Sequence, residues 1–280
     1  MVKILADSTC DLSPSLISRY DIGIIPLYVH LGDKEYKDGV NIRPSDLYQW
    51  SDEHNETPRT SAPGIEDLES YLDKESADEY VIFTISSSMS SCYNNCILAA
   101  EDLEMTDRVH VIDSENLSTG IGLQVIRAAE LAAGGMTGAE IAAENEKIRK
   151  KVRASFVVDT LTYLHRGGRC SGISAFLGSA LRLHPRIAVI DGAMYPEKKY
   201  RGKSARFIMD YVRDMETDLK AAAGDRVFIT HSGCDREIVD AVREYLESLG
   251  RFDEILETTA GAVISSHCGP GTLGVLFIAQ

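Results

Sequence analysis

The chain has 280 residues, of which 44% are hydrophobic, and this is enough for one large or two ordinary domains with a sizeable core. It carries 29 basic and 43 acidic residues, which gives a formal net charge of −14 at pH 7. This charge argues against a general binder of nucleic acid or of anionic membranes, because the protein's own field would repel the phosphates.

The start of the chain and its cysteines indicate the compartment. The sequence reaches Asp7 too early for a signal peptide, and no apolar run approaches the roughly 20 residues of a membrane span. We therefore expect a cytoplasmic protein without an integral membrane segment. Its six cysteines form no C-x-x-C pair, and only Cys92 and Cys96 lie close together. Zinc needs ligands that are grouped more tightly, so we expect free thiols and no metal site.

The N-terminal half has the pattern of a parallel sheet. The first apolar strand ends in Asp7 and Ser8, and a later one ends in Asp113 and Ser114. Two strands that end in the same polar pair predict a parallel sheet whose carboxyl ends converge. Each aspartate could bind a ligand there, or it could accept bonds from amides of its own turn.

Residues 80–95 combine an apolar run, a serine cluster and the start of a helix. An apolar run, 80–85, predicts a strand buried on both faces, and it is followed by a serine cluster, 86–91, and by a helix from Cys92. Open α/β sheets bind ligands at such a junction, where the helix begins with free N–H groups. Since no Lys or Arg lies between Tyr80 and Ala100, a carboxylate fits this turn better than a phosphate. The serines could also simply cap the helix.

The pattern changes near residues 150–155. We place a domain boundary there, with 1–153 as an N-terminal α/β domain that has a parallel sheet and 154–280 as a C-terminal α/β domain that has a mixed or antiparallel sheet. The second half predicts a hairpin that turns at Asp191-Gly192. It also predicts a helix of small residues at about 174–181 and a long helix at 204–222.

Several side chains of the second half are candidates for chemistry. His267 is predicted in a glycine-rich loop, and Arg166 and Arg169 flank a Gly-Gly turn that could hold an anion. The histidine could equally be structural, and the arginines could be solvated surface charges. Ser90 with His267 would suit a hydrolase, although no G-x-S-x-G elbow is present. No P-loop and no G-x-G-x-x-G follows a strand, so we expect no nucleotide cofactor.

Six stretches in the same order occur in a known family. They are Asp7-Ser8-Thr-Cys-Asp11-Leu12, Thr60-Ser61 before Pro63, Ile85-Ser86-Ser87 with Met89-Ser90-Ser91-Cys92-Tyr93, Val111-Ile-Asp113-Ser114, Asp159-Thr-Leu-Thr-Tyr-Leu164 with Arg166-Gly-Gly-Arg169, and His267-Cys-Gly269-Pro270-Gly271. Together they resemble the DegV family of bacterial fatty-acid-binding proteins. Each stretch is weak alone, but their order and their spread over nearly the whole chain make the combination specific.

The resemblance implies a fold and a binding site. The fold is a two-domain α/β arrangement with a parallel sheet in the first domain and a mixed six-stranded sheet in the second. A long-chain fatty acid would lie between the domains, with its tail buried and its carboxylate at the polar rim. Carried over by motif, Thr60 or Ser61, Ser90 and His267 would bind the carboxylate.

The resemblance also implies a non-catalytic role. Family members bind fatty acid and present its carboxylate to a separate ATP-binding subunit of a fatty acid kinase, which makes acyl-phosphate for phospholipid synthesis. We expect Arg166, Arg169, Arg201 and Lys203 near the pocket mouth, facing that partner. The alternatives are a serine-dependent acyl-ester hydrolase that uses Ser90 and His267, and a stand-alone fatty-acid carrier or sensor.

Overall fold

The computed structural model describes residues 1–74, 77–170, 172–173 and 183–280. The strands are β1 (Val2–Asp7), β2 (Gly23–Ile25), β3 (Tyr28–Leu31), β4 (Lys34–Lys37), β5 (Arg59–Ser61), β6 (Glu79–Thr84), β7 (Val109–Asp113), β8 (Val152–Val157), β9 (His184–Ile190), β10 (Ala193–Tyr200), β11 (Ala222–Ser232), β12 (Glu254–Thr259) and β13 (Thr272–Ala279). The helix predicted at 174–181 lies outside the described residues.

The helices alternate with these strands in an α/β order. They are α1 (Pro14–Arg19), α2 (Pro44–His54), α3 (Ile65–Lys74), α4 (Cys92–Asp102), α5 (Thr119–Ala133), α6 (Gly138–Arg149), α7 (Thr162–Gly167), α8 (Ser204–Asp214), α9 (Glu216–Lys220), α10 (Arg236–Ser248) and α11 (Ala262–Cys268). None of the helices in the described part of the chain is long and apolar enough to cross a membrane.

The first sheet is parallel, as the sequence predicts. Its strand order is β2-β1-β6-β7, so the two strands that end in Asp-Ser lie on either side of the central strand. Four residues of that strand, 80–83, are no more than 1% exposed, and α4, α5 and α6 all pack against it. Because β1, β6 and β7 are parallel, the polar turns that follow them lie at one edge of the sheet.

A second, smaller sheet has the order β4-β3-β5 and is antiparallel. Its strand β5 places Thr60 opposite Val29 and Ser61 opposite Tyr28. These polar residues show no alternating hydrophobic pattern, so the sequence alone does not predict a strand here. Pairing with β3 makes this short segment a strand.

The third sheet has six strands in the order β10-β9-β8-β13-β11-β12. Only β11 and β12 are parallel, so the sheet is mixed, as predicted. One face packs against α8 and α10 and the other against the N-terminal half, with Phe156, Phe228 and Leu276 in the shared core. The chain enters this sheet at Val152, so the predicted boundary at 153 lies inside β8. The division into two domains stays a prediction.

Two local predictions can be compared directly with the chain path. Asp191 and Gly192 both have positive φ, 47° and 78°, and join β9 to β10 in the predicted tight hairpin. The long helix predicted for 204–222 is wrong. It is interrupted at Met215 into α8 and α9, and Ala222 already belongs to β11, because the chain must turn there to enter the sheet.

Candidate functional site

A cavity of about 290 Å³ lies between the six-stranded sheet and the N-terminal half. Most of its wall is apolar and comes from both halves of the chain, including Ile85, Leu117, Phe156, Leu164, Val263 and Leu276. A mainly apolar wall with polar groups among its lining residues suits a ligand with a long hydrocarbon part and a polar head.

The polar residues that the sequence predicts converge on this cavity. Thr60, Ser61, Ser90, Arg169 and His267 all line it. Thr60 and Ser61 come from β5, and Ser90 comes from the serine turn. Arg169 comes from the segment after α7, and His267 comes from α11. The fold therefore brings together side chains that are far apart in sequence.

Two of the predicted arginines lie elsewhere. Arg166 is exposed, and its Nη1 donates a hydrogen bond of 3.2 Å to the hydroxyl oxygen of Thr57. Arg201 is exposed on the turn that follows β10. Neither residue is among the described residues that line the cavity.

Thr60 and His267, two of the polar residues that line the cavity, contact each other. The Oγ1 of Thr60 lies 2.9 Å from the Nε2 of His267. The sequence predicts His267 in a loop, and this prediction is wrong, because the residue belongs to the last turn of α11. The backbone of His267 is therefore held by a helix, and its imidazole is oriented by the contact with Thr60.

The surroundings of His267 keep it neutral. Burial and the nearby positive charge of Arg169 lower the pKa of His267 to about 4, since both disfavour an imidazolium. Its Nδ1 is buried without a hydrogen-bond partner among the described residues and faces Gly167, where an added Cβ would lie only 2.4 Å away.

These contacts indicate which nitrogen carries the proton. A proton on Nδ1 would bury an unpaired N–H, whereas a proton on Nε2 can be donated to Thr60. We therefore assign the Nε2 tautomer to His267. The Thr60 hydroxyl oxygen then accepts this bond, and its own proton is free for donation to a ligand oxygen.

Ser61 faces the other way. Its hydroxyl lies 2.9 Å from the Nε2 of His30. Successive side chains of a strand point to opposite faces, so Thr60 and Ser61 cannot both direct their hydroxyls at the same group. This geometry favours Thr60 over Ser61 as the residue that contacts a ligand.

Ser90 has a hydroxyl proton to donate. The N-cap residue of α4, Ser91, makes no side-chain capping bond. The Oγ of Ser90 instead accepts a bond of 3.2 Å from the amide of Cys92, the first residue of that helix. That bond uses an oxygen lone pair and leaves the hydroxyl proton available. The side-chain amide of Asn95 donates to the carbonyl oxygen of Pro63 at 2.8 Å, which ties α4 to the segment after Thr60.

The two aspartates that end β1 and β7 hold the serine turn. Asp7 accepts from the amides of Thr9 and Ile85, at 3.0 and 2.7 Å. Asp113 accepts from the amides of Glu115 and Ser87, at 2.9 and 3.2 Å. Their role as acceptors for turn amides is therefore confirmed. Burial raises the pKa of Asp7 to about 6, and its hydrogen bonds oppose this increase.

Sequence reasoning missed the hydroxyl groups on the floor of the cavity. Thr230, Ser232 and Thr272 line it from the six-stranded sheet. The signal was present in β11, where Phe228, Thr230 and Ser232 alternate along one face of the strand. Ser232 donates to the carbonyl oxygen of Gly269 and so supports the end of α11.

The arrangement lacks the contacts of a serine hydrolase. His267 is joined to Thr60, and no bond between Ser90 and His267 is present among the described residues. Among the residues that the structure describes, no carboxylate is bonded to the second ring nitrogen of His267, as the orienting acid of a nucleophile–base–acid triad would be. The described residues also hold no group of three or more His, Cys, Asp or Glu side chains that could bind a metal ion.

Comparisons with known proteins extend over the whole chain. A model of the family described as "Uncharacterised protein, DegV family" matches residues 1–280. A fatty acid-binding protein of Thermotoga maritima is 31% identical over 280 aligned residues, which cover 98% of this chain and 96% of that protein.

Solved structures agree with the fold. One of them reports fatty acid binding by a DegV family protein of Thermus thermophilus. That protein is 32% identical to this chain, the TM-score is 0.90, and the match covers 100% of this chain and 99% of that one. A fatty acid kinase (Fak) B3 protein of Streptococcus pneumoniae, loaded with linoleic acid, has a TM-score of 0.86 with 100% of both chains covered, and at 20% identity it shows a shared fold. The family match and the identity of the relatives agree with the motifs, and the chain belongs to the DegV family.

Proposed function

We propose that this protein binds one long-chain fatty acid in the cavity and presents its carboxylate to a separate ATP-dependent kinase subunit that forms acyl-phosphate. The Thr60–His267 pair beside an apolar cavity is the observation that carries this proposal. The Thr60 hydroxyl can donate a hydrogen bond to a carboxylate, and the apolar wall beside it can contain an acyl chain. The names of the Thermus and Thermotoga relatives support the same ligand class.

The carboxylate would bind by hydroxyl donation from Thr60 and Ser90. A neutral His267 serves this purpose, because it donates to Thr60 without adding a second full charge beside Arg169. Hydrogen bonds to a charged group in a partly dry site are stronger than those between neutral groups. Arg169 supplies positive potential without requiring an ion pair.

The kinase partner is proposed from the sequence motifs. Phosphoryl transfer to a carboxylate needs a nucleotide, a metal and groups that steady the transferred phosphoryl. This sequence has no nucleotide loop, so we assign those parts to the partner. Arg166, Arg201 and Lys203 are exposed cations on a chain with a net charge of −14, and we propose that they face the partner. The reaction takes place in the cytoplasm under this proposal.

Ligand content tests the binding proposal. Each buried CH₂ contributes about 0.8 kcal/mol, so a fatty acid with about 16 carbons should survive purification. Denaturing extraction and mass spectrometry of protein from a bacterial host should give about one fatty acid per chain. Absence of fatty acid, together with no uptake by delipidated protein, would remove the basis of the proposal.

Reconstitution with the kinase subunit tests the division of labour. Arg201→Ala should leave palmitate affinity unchanged and lower the rate of acyl-phosphate formation, because the residue lies outside the cavity. Arg127→Ala, which changes an exposed arginine of α5, is the matched control. Steady ATP turnover or ester cleavage by the purified protein alone, abolished by a point change in this chain, would replace the carrier role with an enzymatic one.

A further inference from the structure

The helix that carries His267 is held at its other end by two aspartates from the N-terminal half. The amide of Gly261 donates to Asp11 Oδ1 at 2.8 Å. The amide of Ala262 donates to Asp38 Oδ1 at 2.7 Å. These pairs span 250 and 224 residues of sequence, so they join the two halves of the chain directly.

Both carboxylates are fixed on their second oxygen as well. Ser118 donates to Asp11 Oδ2 at 2.6 Å, and Ser8 donates to Asp38 Oδ2 at 2.9 Å. Asp11 and Asp38 are only 6% and 2% exposed. Side chains bonded at both oxygens and buried to this degree have little freedom, so they define where the first turn of α11 lies.

The helix offers no cap of its own. Its N-cap residue is Gly261, which has no side chain to accept from the first amides. A Cβ at Gly261 would lie 3.1 Å from both oxygens of Asp38 and 3.2 Å from Asp11 Oδ1. Its φ of −65° is open to any residue, so glycine is needed here for space. The carboxylates of Asp11 and Asp38 therefore lie directly against the backbone at Gly261.

Burying two carboxylates close together is energetically unfavourable, which argues that Asp11 and Asp38 have a positional role. Burial raises the pKa of Asp11 and of Asp38, and in Asp11 the negative charge of Asp38 adds to this effect. Negative charge at a helix N-terminus is favourable, but two carboxylates that are buried close together are a poor way to stabilise a fold. The clear gain is that α11 is fixed relative to the N-terminal half.

We propose that Asp11 and Asp38 are positioning residues for the carboxylate site. They hold the N-terminus of α11 against the N-terminal half, and the seven-residue helix carries that position over about 9 Å from Gly261 to His267 in its last turn. The Thr60–His267 contact, and with it the direction of the Thr60 hydroxyl, depends on this clamp. The inference rests on the proposed fatty-acid binding, but neither aspartate is among the described residues that line the cavity.

A double-mutant cycle tests the coupling. Asp38→Ala should weaken palmitate binding by at least about tenfold, and His267→Ala should do so by a similar factor. The double variant should be little weaker than either single variant, because Asp38 acts through His267. Asp38→Asn keeps an acceptor for the Ala262 amide and should bind within about threefold of the parent protein.

Gly261→Ala perturbs the same contact from the other side and removes no polar group. Its methyl group would press on both carboxylates, so palmitate binding should again weaken, with no further loss in the His267→Ala background. Gly134→Ala is the matched control, since that glycine caps α5 on the surface and has a φ of −76°. It should bind like the parent protein. Urea denaturation of each ligand-free variant separates loss of folding from loss of positioning.

The outcomes separate this inference from the function on which it rests. A parent protein that binds no fatty acid contradicts the proposed function itself. A folded Asp38→Ala or Gly261→Ala variant with the parent's affinity contradicts the clamp alone. Losses that add fully to that of His267→Ala, or an Asp38→Asn variant as weak as Asp38→Ala, would also overturn it, because the effect would then not pass through a hydrogen-bonded helix position.

Discussion

Thr60 and His267 are hydrogen-bonded at 2.9 Å, although 207 residues separate them in the chain. Thr60 belongs to the small antiparallel sheet, and His267 belongs to a helix of the C-terminal half. The bond therefore exists only when the two halves are packed together. It couples the donor proposed for the carboxylate to the relative position of the two halves.

Thr60→Val should weaken palmitate binding about 10- to 150-fold, which corresponds to the roughly 1.5–3 kcal/mol of a hydrogen bond to a charged group. Valine keeps the shape and the strand preference of threonine but removes the hydroxyl. Titration calorimetry on delipidated protein measures the effect. Thr60→Ser keeps the hydroxyl and should retain most of the affinity. Equal affinity of Thr60→Val and the parent protein would place the head group elsewhere.

Ser90→Ala should also weaken palmitate binding, by about tenfold or more, because its hydroxyl proton is free while its oxygen accepts from Cys92. Ser87→Ala is a control in the same turn, since that exposed side chain is not among the described residues that line the cavity. A competition assay with a fluorescent fatty acid can compare the two variants. If both changes have the same effect, the turn acts only through its backbone.

The pKa of His267 should respond to its two neighbours. Arg169 contributes to lowering this pKa to about 4, so Arg169→Ala should raise it. Bound palmitate should raise it as well, because a carboxylate nearby stabilises the imidazolium. NMR titration of the imidazole Cε1–H in the parent protein and the variant measures both effects. A pKa that does not move when palmitate is added would show that the carboxylate lies away from His267.

Asp7 contributes stability in mild acid that is lost as the pH approaches neutrality. Its pKa is about 6 in the folded protein against an ordinary value of 3.8, so this group binds more protons in the folded state between these pH values. Its contribution to the free energy of unfolding therefore falls as pH rises from about 4 to about 6, by up to about 3 kcal/mol, while the lowered pKa of His267 acts in the opposite direction.

Urea denaturation near the two ends of that window, at about pH 4.5 and about pH 6.5, compares the parent protein with Asp7→Asn. The substituted side chain has one acceptor oxygen fewer at all pH values, so the pH dependence, and not the absolute stability, is the readout. From the lower to the higher pH, the parent protein should lose more unfolding free energy, or gain less, than the variant. The same change with pH in both proteins would mean that Asp7 does not titrate in this range.

Local sequence patterns were enough to predict most of the parallel sheet of the N-terminal half. The apolar run that forms β6, the Asp-Ser pairs that end β1 and β7, and the Asp191-Gly192 hairpin each depend on neighbours in the sequence. The convergence of their carboxyl ends follows from the parallel arrangement. The serine turn could therefore be placed at the edge of the sheet from these patterns, whereas the choice of Ser90 within it came from the resemblance to the DegV family.

Contacts between the halves could not be predicted in this way. The α11 helix has few residues and is capped by Asp11 and Asp38, which are more than 220 residues away, so no local signal marks its start. The Gly-Pro-Gly that follows it made His267 look like a loop residue. The choice between Thr60 and Ser61 likewise depended on the pairing of β5 with β3, which decides the direction of each hydroxyl.

A crystal structure of the protein with palmitate tests the central claim most directly. We expect the alkyl chain inside the cavity and the carboxylate within about 3 Å of the hydroxyl oxygens of Thr60 and Ser90. His267 should keep its bond to Thr60 in that complex. A palmitate whose carboxylate contacts neither hydroxyl, or whose chain lies outside the cavity, would contradict the account.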